Sequence, residues 1–154
     1  MDNNFYTSLE YGKRGEKMVS LALTAKGNKM IDVSDDLEYR RNDIDFIVER
    51  KRDTITLEVK SDYKSQETGN FFVEYQNDNN VRHNFEGWYH YSQAQYICFV
   101  QQEYHKAYIV LFDELVNDIE KKNSYRRARS NNSWGYLVPI TNIAEYETCY
   151  EFAV

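Results

Sequence analysis

At 154 residues the chain has the length of one ordinary domain, so a second independent core is not expected and residues 1–154 are read as one unit. Hydrophobic residues make up 42% of it, enough for a core, yet no apolar run approaches the ~20 residues of a membrane-crossing helix. The net charge of -6 argues against a broad basic surface for polyanions, although phosphate contact needs only a local positive face and a carboxylate-rich site makes any protein look acidic.

The amino terminus, Met1-Asp2-Asn3-Asn4, lacks the basic start and greasy centre of a secretory signal, so a cytoplasmic protein without a membrane partner is expected. With one proline and six glycines, no linker-like segment is visible. Residues 13 to 25 place Met18, Leu21, Ala22 and Ala25 at helical spacing, which predicts an amphipathic helix that ends near Gly27 and carries Glu16. A short strand is expected at 29 to 34, then a charged loop from Asp35 to Asn42. Two stronger strands follow, Asp43 to Arg50 and Thr54 to Lys60; the Lys51-Arg52-Asp53 link is of hairpin length and predicts antiparallel neighbours.

After the loop Ser61 to Asn70 a third strand is expected at Phe71 to Gln76, then a polar stretch at Asn77 to Asn80 and a corner at Gly87-Trp88. Gln95 to Gln101 and Lys106 to Phe112 read as buried strands. Asp113 is placed to cap a helix running to Lys122, with Leu115, Val116 and Ile119 inward. A basic segment at Tyr125 to Arg129 leads to a strand at Gly135 to Ile140, and the tail from Asn142 to Val154 fits helix or strand. The pattern predicts an α/β fold with a central mixed sheet flanked by helices.

Strand alternation decides where chemistry can gather. In Asp43-Ile44-Asp45-Phe46-Ile47-Val48 it sends Ile44, Phe46 and Val48 to one face and leaves Asp43 and Asp45 on the other. In Ile55-Thr56-Leu57-Glu58-Val59-Lys60 it sends Glu58 and Lys60 away from the apolar side. If the strands pair, Asp45 and Glu58 converge inside a sheet, where unpaired negative charge is costly. A divalent cation resolves the conflict: Mg²⁺ or Mn²⁺ takes one or two carboxylates, a carbonyl and waters, and the Val59 carbonyl is placed to be a ligand. Lys60, on the side of Glu58, can hold or help deprotonate an attacking water and offset charge on a phosphate. Glu16 can add a carboxylate or reach a second ion.

These residues resemble the PD-(D/E)XK nuclease superfamily, which includes restriction enzymes, phage exonucleases and archaeal-type Holliday junction resolvases. The likeness rests on Glu16, Asp45 and Glu58-Val59-Lys60 and spans residues 13 to 112. It implies a restriction-endonuclease-like α-β-β-β-α-β core that presents the Asp from its second strand, the Glu-x-Lys from its third and a Glu from its first helix. Ile44 stands where the pattern has proline. The helix after the third strand is hard to place, because Phe71 to Gln76 reads as an added strand. Glu74, followed by Gly87-Trp88 and Ser92-Gln93-Ala94, looks like an arrangement in some phage-type members, which implies a subsidiary role for Glu74. The activity implied is Mg²⁺-dependent hydrolysis of DNA phosphodiester bonds, by a phage-type or structure-directed enzyme. For a resolvase, which cuts two strands symmetrically, a two-fold homodimer is also implied.

Competing readings stand beside these. A strand-borne Glu-x-Lys is commonly a solvated sheet face, a Glu in a first helical turn is favoured by the helix dipole, and Asp43 can cap its strand or pair with Arg40 or Arg41. Lys122, Arg126, Arg127 and Arg129, with Trp134 nearby, can contact phosphates and stack a base, or can simply end a helix favourably. A catalytically silent nucleic-acid or protein binding module on the same fold is the alternative function. His83, His90 and His105 lack zinc spacing, and Cys98 and Cys149 lack disulfide or zinc spacing and are expected as buried thiols. No phosphate-binding glycine loop or Gly-x-Ser-x-Gly elbow is present.

Overall fold

A computed structural model of the chain describes residues 3–154, with side chains from Thr7 onward; Met1 and Asp2, on which the reading of the amino terminus partly rests, lie outside the described residues. The strands are β1 (Lys29–Asp32), β2 (Phe46–Glu49), β3 (Thr54–Ser61), β4 (Asn70–Asn77), β5 (Tyr96–Gln101), β6 (Lys106–Leu111), β7 (Arg127–Ser130), β8 (Ser133–Pro139) and β9 (Tyr150–Ala153). The helices are α1 (Asn3–Ala25), α2 (Leu37–Arg41), α3 (Ser65–Thr68), α4 (Trp88–Tyr91), α5 (Phe112–Lys122) and α6 (Ile140–Ala144). Among the described residues no helix is long and apolar enough to cross a membrane.

The protein is mixed α/β, built on a six-stranded mixed sheet in the order β1-β2-β3-β5-β6-β9, with a second, three-stranded sheet in the order β4-β8-β7. The Lys51-Arg52-Asp53 link joins β2 and β3 as an antiparallel hairpin with Phe46 opposite Leu57, while β3 and β5 run parallel. A parallel neighbour needs a crossover. Residues 62–95 make it, and they do so with β4 and two four-residue helices rather than one long helix. The expected strand at Phe71 to Gln76 therefore exists, but it pairs with β8 in the second sheet.

Each face of the main sheet covers its own apolar cluster. On one side α1 lays Val19 and Leu23 over Phe46, Val48, Ile55, Leu57 and Val59. The inward stripe of α1 is thus Gly15, Val19 and Leu23, one residue per turn, and not the expected Met18 and Leu21; Leu21 is 63% exposed. Gly15 permits that close approach, because a Cβ there would meet the Ser61 hydroxyl. On the other side Ile97, Phe99, Tyr108 and Val110 pack against Phe71 and Val73 of β4, Trp88, and Leu115 and Ile119 of α5. Phe71 and Phe99 stack with centroids 4.5 Å apart, which locks the second sheet onto the first.

Several local expectations are corrected. α1 begins ten residues earlier than its apolar pattern suggested, since residues 3–12 carry too few apolar side chains to show the period. The charged loop contains α2, capped by the Asp36 carboxylate, which accepts from the Glu38 N–H at 3.0 Å. The N-cap of α5 is Leu111, and Asp113 lies inside the first turn, where it complements the dipole without capping. The ambiguous tail resolves into the end of α6 and the edge strand β9. Ile44 belongs to the cluster under the second sheet and Phe46 to the one under α1, so they do not share a face. Asp43, at φ 57, kinks the chain and breaks the alternation there. Cys98 is buried, but Cys149 is only half-buried; both are free thiols.

Gly87 marks a second close approach: a Cβ there would stand 2.4 Å from the Glu74 carbonyl oxygen, and backbone cannot swing aside. Gly87→Ala is expected to cost about 1–3 kcal/mol, as overpacking does, and to lower the melting temperature by several degrees. Gly12→Ala in α1, whose Cβ meets nothing within 4 Å, is expected to be neutral or stabilising by up to ~1 kcal/mol. Equal melting of the two variants would contradict this packing.

Candidate active site

The acids gather where β2 leaves β3. Asp45 still pairs through its backbone, its N–H donating to the Leu57 carbonyl at 3.0 Å, but the chain then turns away. Its carboxylate replaces the missing strand: the Val59 N–H donates to Asp45 Oδ2 at 2.9 Å. In a strand the N–H and C=O of one residue point the same way, so the Val59 carbonyl also faces this gap and not β5. Glu58, 6% exposed, and Asp45, 9% exposed, line the same cavity.

Lys60 ties the cluster together. Its Nζ donates to Glu58 Oε1 at 2.9 Å and to Asp43 Oδ1 at 3.1 Å, and lies 5.2 Å from the centre of the Trp88 ring. The kink at Asp43 is what turns that carboxylate toward Lys60, and the other Asp43 oxygen, Oδ2, is buried with no hydrogen-bond partner among the described residues. A left-handed backbone at a residue other than glycine, together with an orphaned buried oxygen, is the kind of strain that persists at functional sites. Ser92 and Gln93 brace this turn, Gln93 through its N–H to the Asn42 carbonyl at 2.9 Å and Ser92 through its hydroxyl to the Asp43 carbonyl at 3.5 Å.

Glu16 completes the group from α1. It lines a cavity of about 340 Å³ together with Asp43, Asp45 and Glu58, and is held by Lys13 Nζ at 3.2 Å, itself bonded to Ser34 at 3.1 Å. Because α1 starts at Asn3, Glu16 sits in mid-helix, and the dipole explanation for it falls away.

The electrostatics follow from burial among like charges. Burial pushes the Glu58 carboxyl well above the usual carboxylate range; Lys60 opposes this, but Asp43 and Asp45 reinforce it. Burial also raises Asp45, against the pull of the Val59 N–H and of Lys60. Glu16 is raised by burial and by the charge of Asp45, with Lys13 opposing. Burial acts to lower Lys60, yet Asp43 and Glu58 outweigh it and hold the ammonium well above the ordinary lysine range. Three acids that resist ionisation around one fixed cation form a site that gains from a further positive charge.

Among the described residues no three His, Cys, Asp or Glu side chains form a ready-made metal cage. The donor set nonetheless suits a hard cation that keeps several waters: two adjoining carboxylates, a backbone carbonyl facing the same gap and an orphaned carboxylate oxygen nearby.

A second hollow, of about 420 Å³, opens on the far side of Lys60, between the end of β3 and the second sheet. Lys60, Glu74, Arg126 and Arg129 all line it. Glu74 accepts from Ser133 at 2.6 Å, so it anchors the β4–β8 wall and does not join the acid cluster. Arg127 turns to the opposite face of β7, over the rings of Tyr75 and Tyr136. Lys122 stays at the end of α5, bonded to Asp118 and Tyr125, and does not line the hollow. Arg127 and Arg129 therefore lie in β7 and Arg126 immediately before it, not at the end of α5. Comparison with family models, with curated proteins and with solved structures finds no match for the chain.

Sequence reasoning passed over Trp88 as a ring for Lys60, and it ranked Asp43 below its place in the geometry. Trp88 was visible only as a corner residue. The signal for Asp43 was its position two residues before Asp45, but the kink that brings it to Lys60 has no sequence signature.

Proposed function

We propose that this protein is a divalent-cation-dependent nuclease of the PD-(D/E)XK type that hydrolyses phosphodiester bonds in DNA. The observation that carries the reading is the convergence of Glu16, Asp45 and Glu58 on one cavity, with Lys60 bonded to Glu58 and to Asp43 at its edge. Element order supports it as well: a helix, three consecutive antiparallel strands and then a parallel strand follow the α-β-β-β-α-β plan, with the excursion at 62–95 in place of the second helix.

Asp45 and Glu58 would hold Mg²⁺ or Mn²⁺ with the Val59 carbonyl, and such a cation, when bound, supplies Lewis-acid polarisation of the phosphate and activation of water. The protein's own groups do the rest. Lys60 keeps its proton, so it orients the attacking water as a donor and balances charge that builds on the phosphate. Asp43 fixes the Lys60 ammonium, and the Trp88 ring supports it from the other side. Glu16 adds a carboxylate at the cavity wall. Cleavage of supercoiled, branched or single-stranded DNA is expected in Mg²⁺ or Mn²⁺ and is expected to vanish in EDTA. Binding without cutting across all those substrates would replace this reading with a silent binding module.

A further inference from the structure

The hollow beyond Lys60 has a composition that the acid cluster does not require. Its floor is the end of β3 and Phe99, and its far wall is the β7–β8 hairpin. Both of its acids are already engaged: Asp62 accepts from the N–H groups of Ser65 and Phe72, and Glu74 accepts from Ser133. Two of its cations are not. Lys64 and Arg126 form no ion pair among the described residues, whereas Lys60 serves Asp43 and Glu58, and Arg129 serves Asp78. Tyr63, 55% exposed, lines the hollow, with its ring at 78° to that of Tyr11.

Exposed cations outside any ion pair among the described residues, beside an exposed ring in a concave site, match the phosphates and bases of a polynucleotide strand. The shape selects which kind. Duplex DNA is read by elements that project into grooves about 12 or 6 Å wide, whereas these cations line a recess. A recess of about 420 Å³ lies within the ~300–1,000 Å³ range of pockets that enclose one small ligand, the scale of a nucleotide and not of a duplex. The net charge of -6 leaves little attraction for a long duplex backbone elsewhere.

We infer that this cleft binds an unpaired polynucleotide strand, with one base against Tyr63 and phosphates on Lys64 and Arg126, and leads its backbone to Lys60. The binding stands on the cleft alone; only the fate of the strand at Lys60 rests on the nuclease reading.

The test is fluorescence anisotropy in EDTA, with a short labelled oligodeoxythymidylate and a blunt duplex of equal length. The single strand is expected to bind at least about tenfold more tightly, with affinity falling as roughly the 1.4 power of salt concentration for two phosphate contacts. Tyr63→Ala is expected to weaken it about 5- to 100-fold, the loss of one stacked base, and Arg126→Ala and Lys64→Ala to weaken it in a salt-dependent way. All three side chains are exposed, so these variants are expected to melt as the parent does. Equal or tighter duplex binding, or strand affinity untouched by Tyr63→Ala and Arg126→Ala, would overturn the inference. Adding Mn²⁺ separates it from the nuclease reading. Strand binding without cutting keeps the cleft and removes the nuclease, while cutting that ignores Tyr63 keeps the nuclease and removes the cleft.

Discussion

Glu58→Gln is expected to leave a protein at least as stable as the parent that cuts DNA about a thousandfold more slowly or not at all. The two halves of that statement have one cause. Glu58 is buried beside two other acids, so its charge is opposed by burial and by like charge even with Lys60 in contact. Glutamine keeps the shape and most of the hydrogen bonding and removes that cost. It also removes the negative charge that a divalent cation needs. Lys60→Met separates stability from activity in the opposite sense. It strips the shared partner from Asp43 and Glu58, and is expected to destabilise by roughly 2–4 kcal/mol, less than for fully buried pairs because the lysine side chain is a quarter exposed. It is expected to slow cutting by about 10²–10³ through loss of a preorganised donor. Cleavage rates and thermal melts on the same preparations check both. Full activity in Glu58→Gln would end the proposal outright.

The metal-free protein is expected to lose stability as pH rises from about 5 to about 8, the reverse of ordinary acid denaturation. The sign follows from the raised acids. Glu16, Asp45, Glu58 and, in the neighbouring hollow, Asp62 have native values above their unfolded ones, so above the ordinary carboxylate range the native state holds protons that the unfolded chain has released. Stability then falls with pH until those groups ionise. Acids held low, Asp32, Asp53, Asp78 and Asp118, act only below that window, where their contribution is lost as pH falls. Mn²⁺ is expected to invert the trend, because ligands must ionise to bind it. At a hundredfold excess over its dissociation constant the gain is about 2.7 kcal/mol, some 5–11 °C in melting temperature, greater at the higher pH and absent in Glu58→Gln. Scanning calorimetry in EDTA and in Mn²⁺ at both pH values decides it. Melting that rises with pH in EDTA, or ignores Mn²⁺, contradicts the account.

The parts of this site that could be read from sequence were those set by period-two alternation. Glu58 and Lys60 lie in an unbroken strand, so opposition to Leu57 and Val59 sufficed to place them, and the short Lys51-Arg52-Asp53 link brought Asp45 alongside. The same rule misplaced Ile44, because the regular strand begins only at Phe46 and the chain before it bends at Asp43. Helical periodicity found α1 but chose a face rotated from the buried one: Ala22 does pack against the core, whereas Leu21 faces outward. Met18 and Leu21 are apolar, yet the contact is set by Gly15, whose lack of a side chain carries no hydrophobic signal. The cleft was least visible, since its far wall comes from pairing between β4 and β8, which is remote in the chain and leaves no local pattern.

That remoteness bears on how such a molecule can change. The acid cluster and Lys60 come from residues 16 to 60, whereas the opposing bank of the groove is the β7–β8 hairpin, which joins β4 through β8. Lengthening or recharging the turn at Asn131-Asn132 leaves Glu16, Asp43, Asp45 and Glu58 where they are, so under the proposed function preference for one substrate over another can drift while the proposed catalytic groups stay intact.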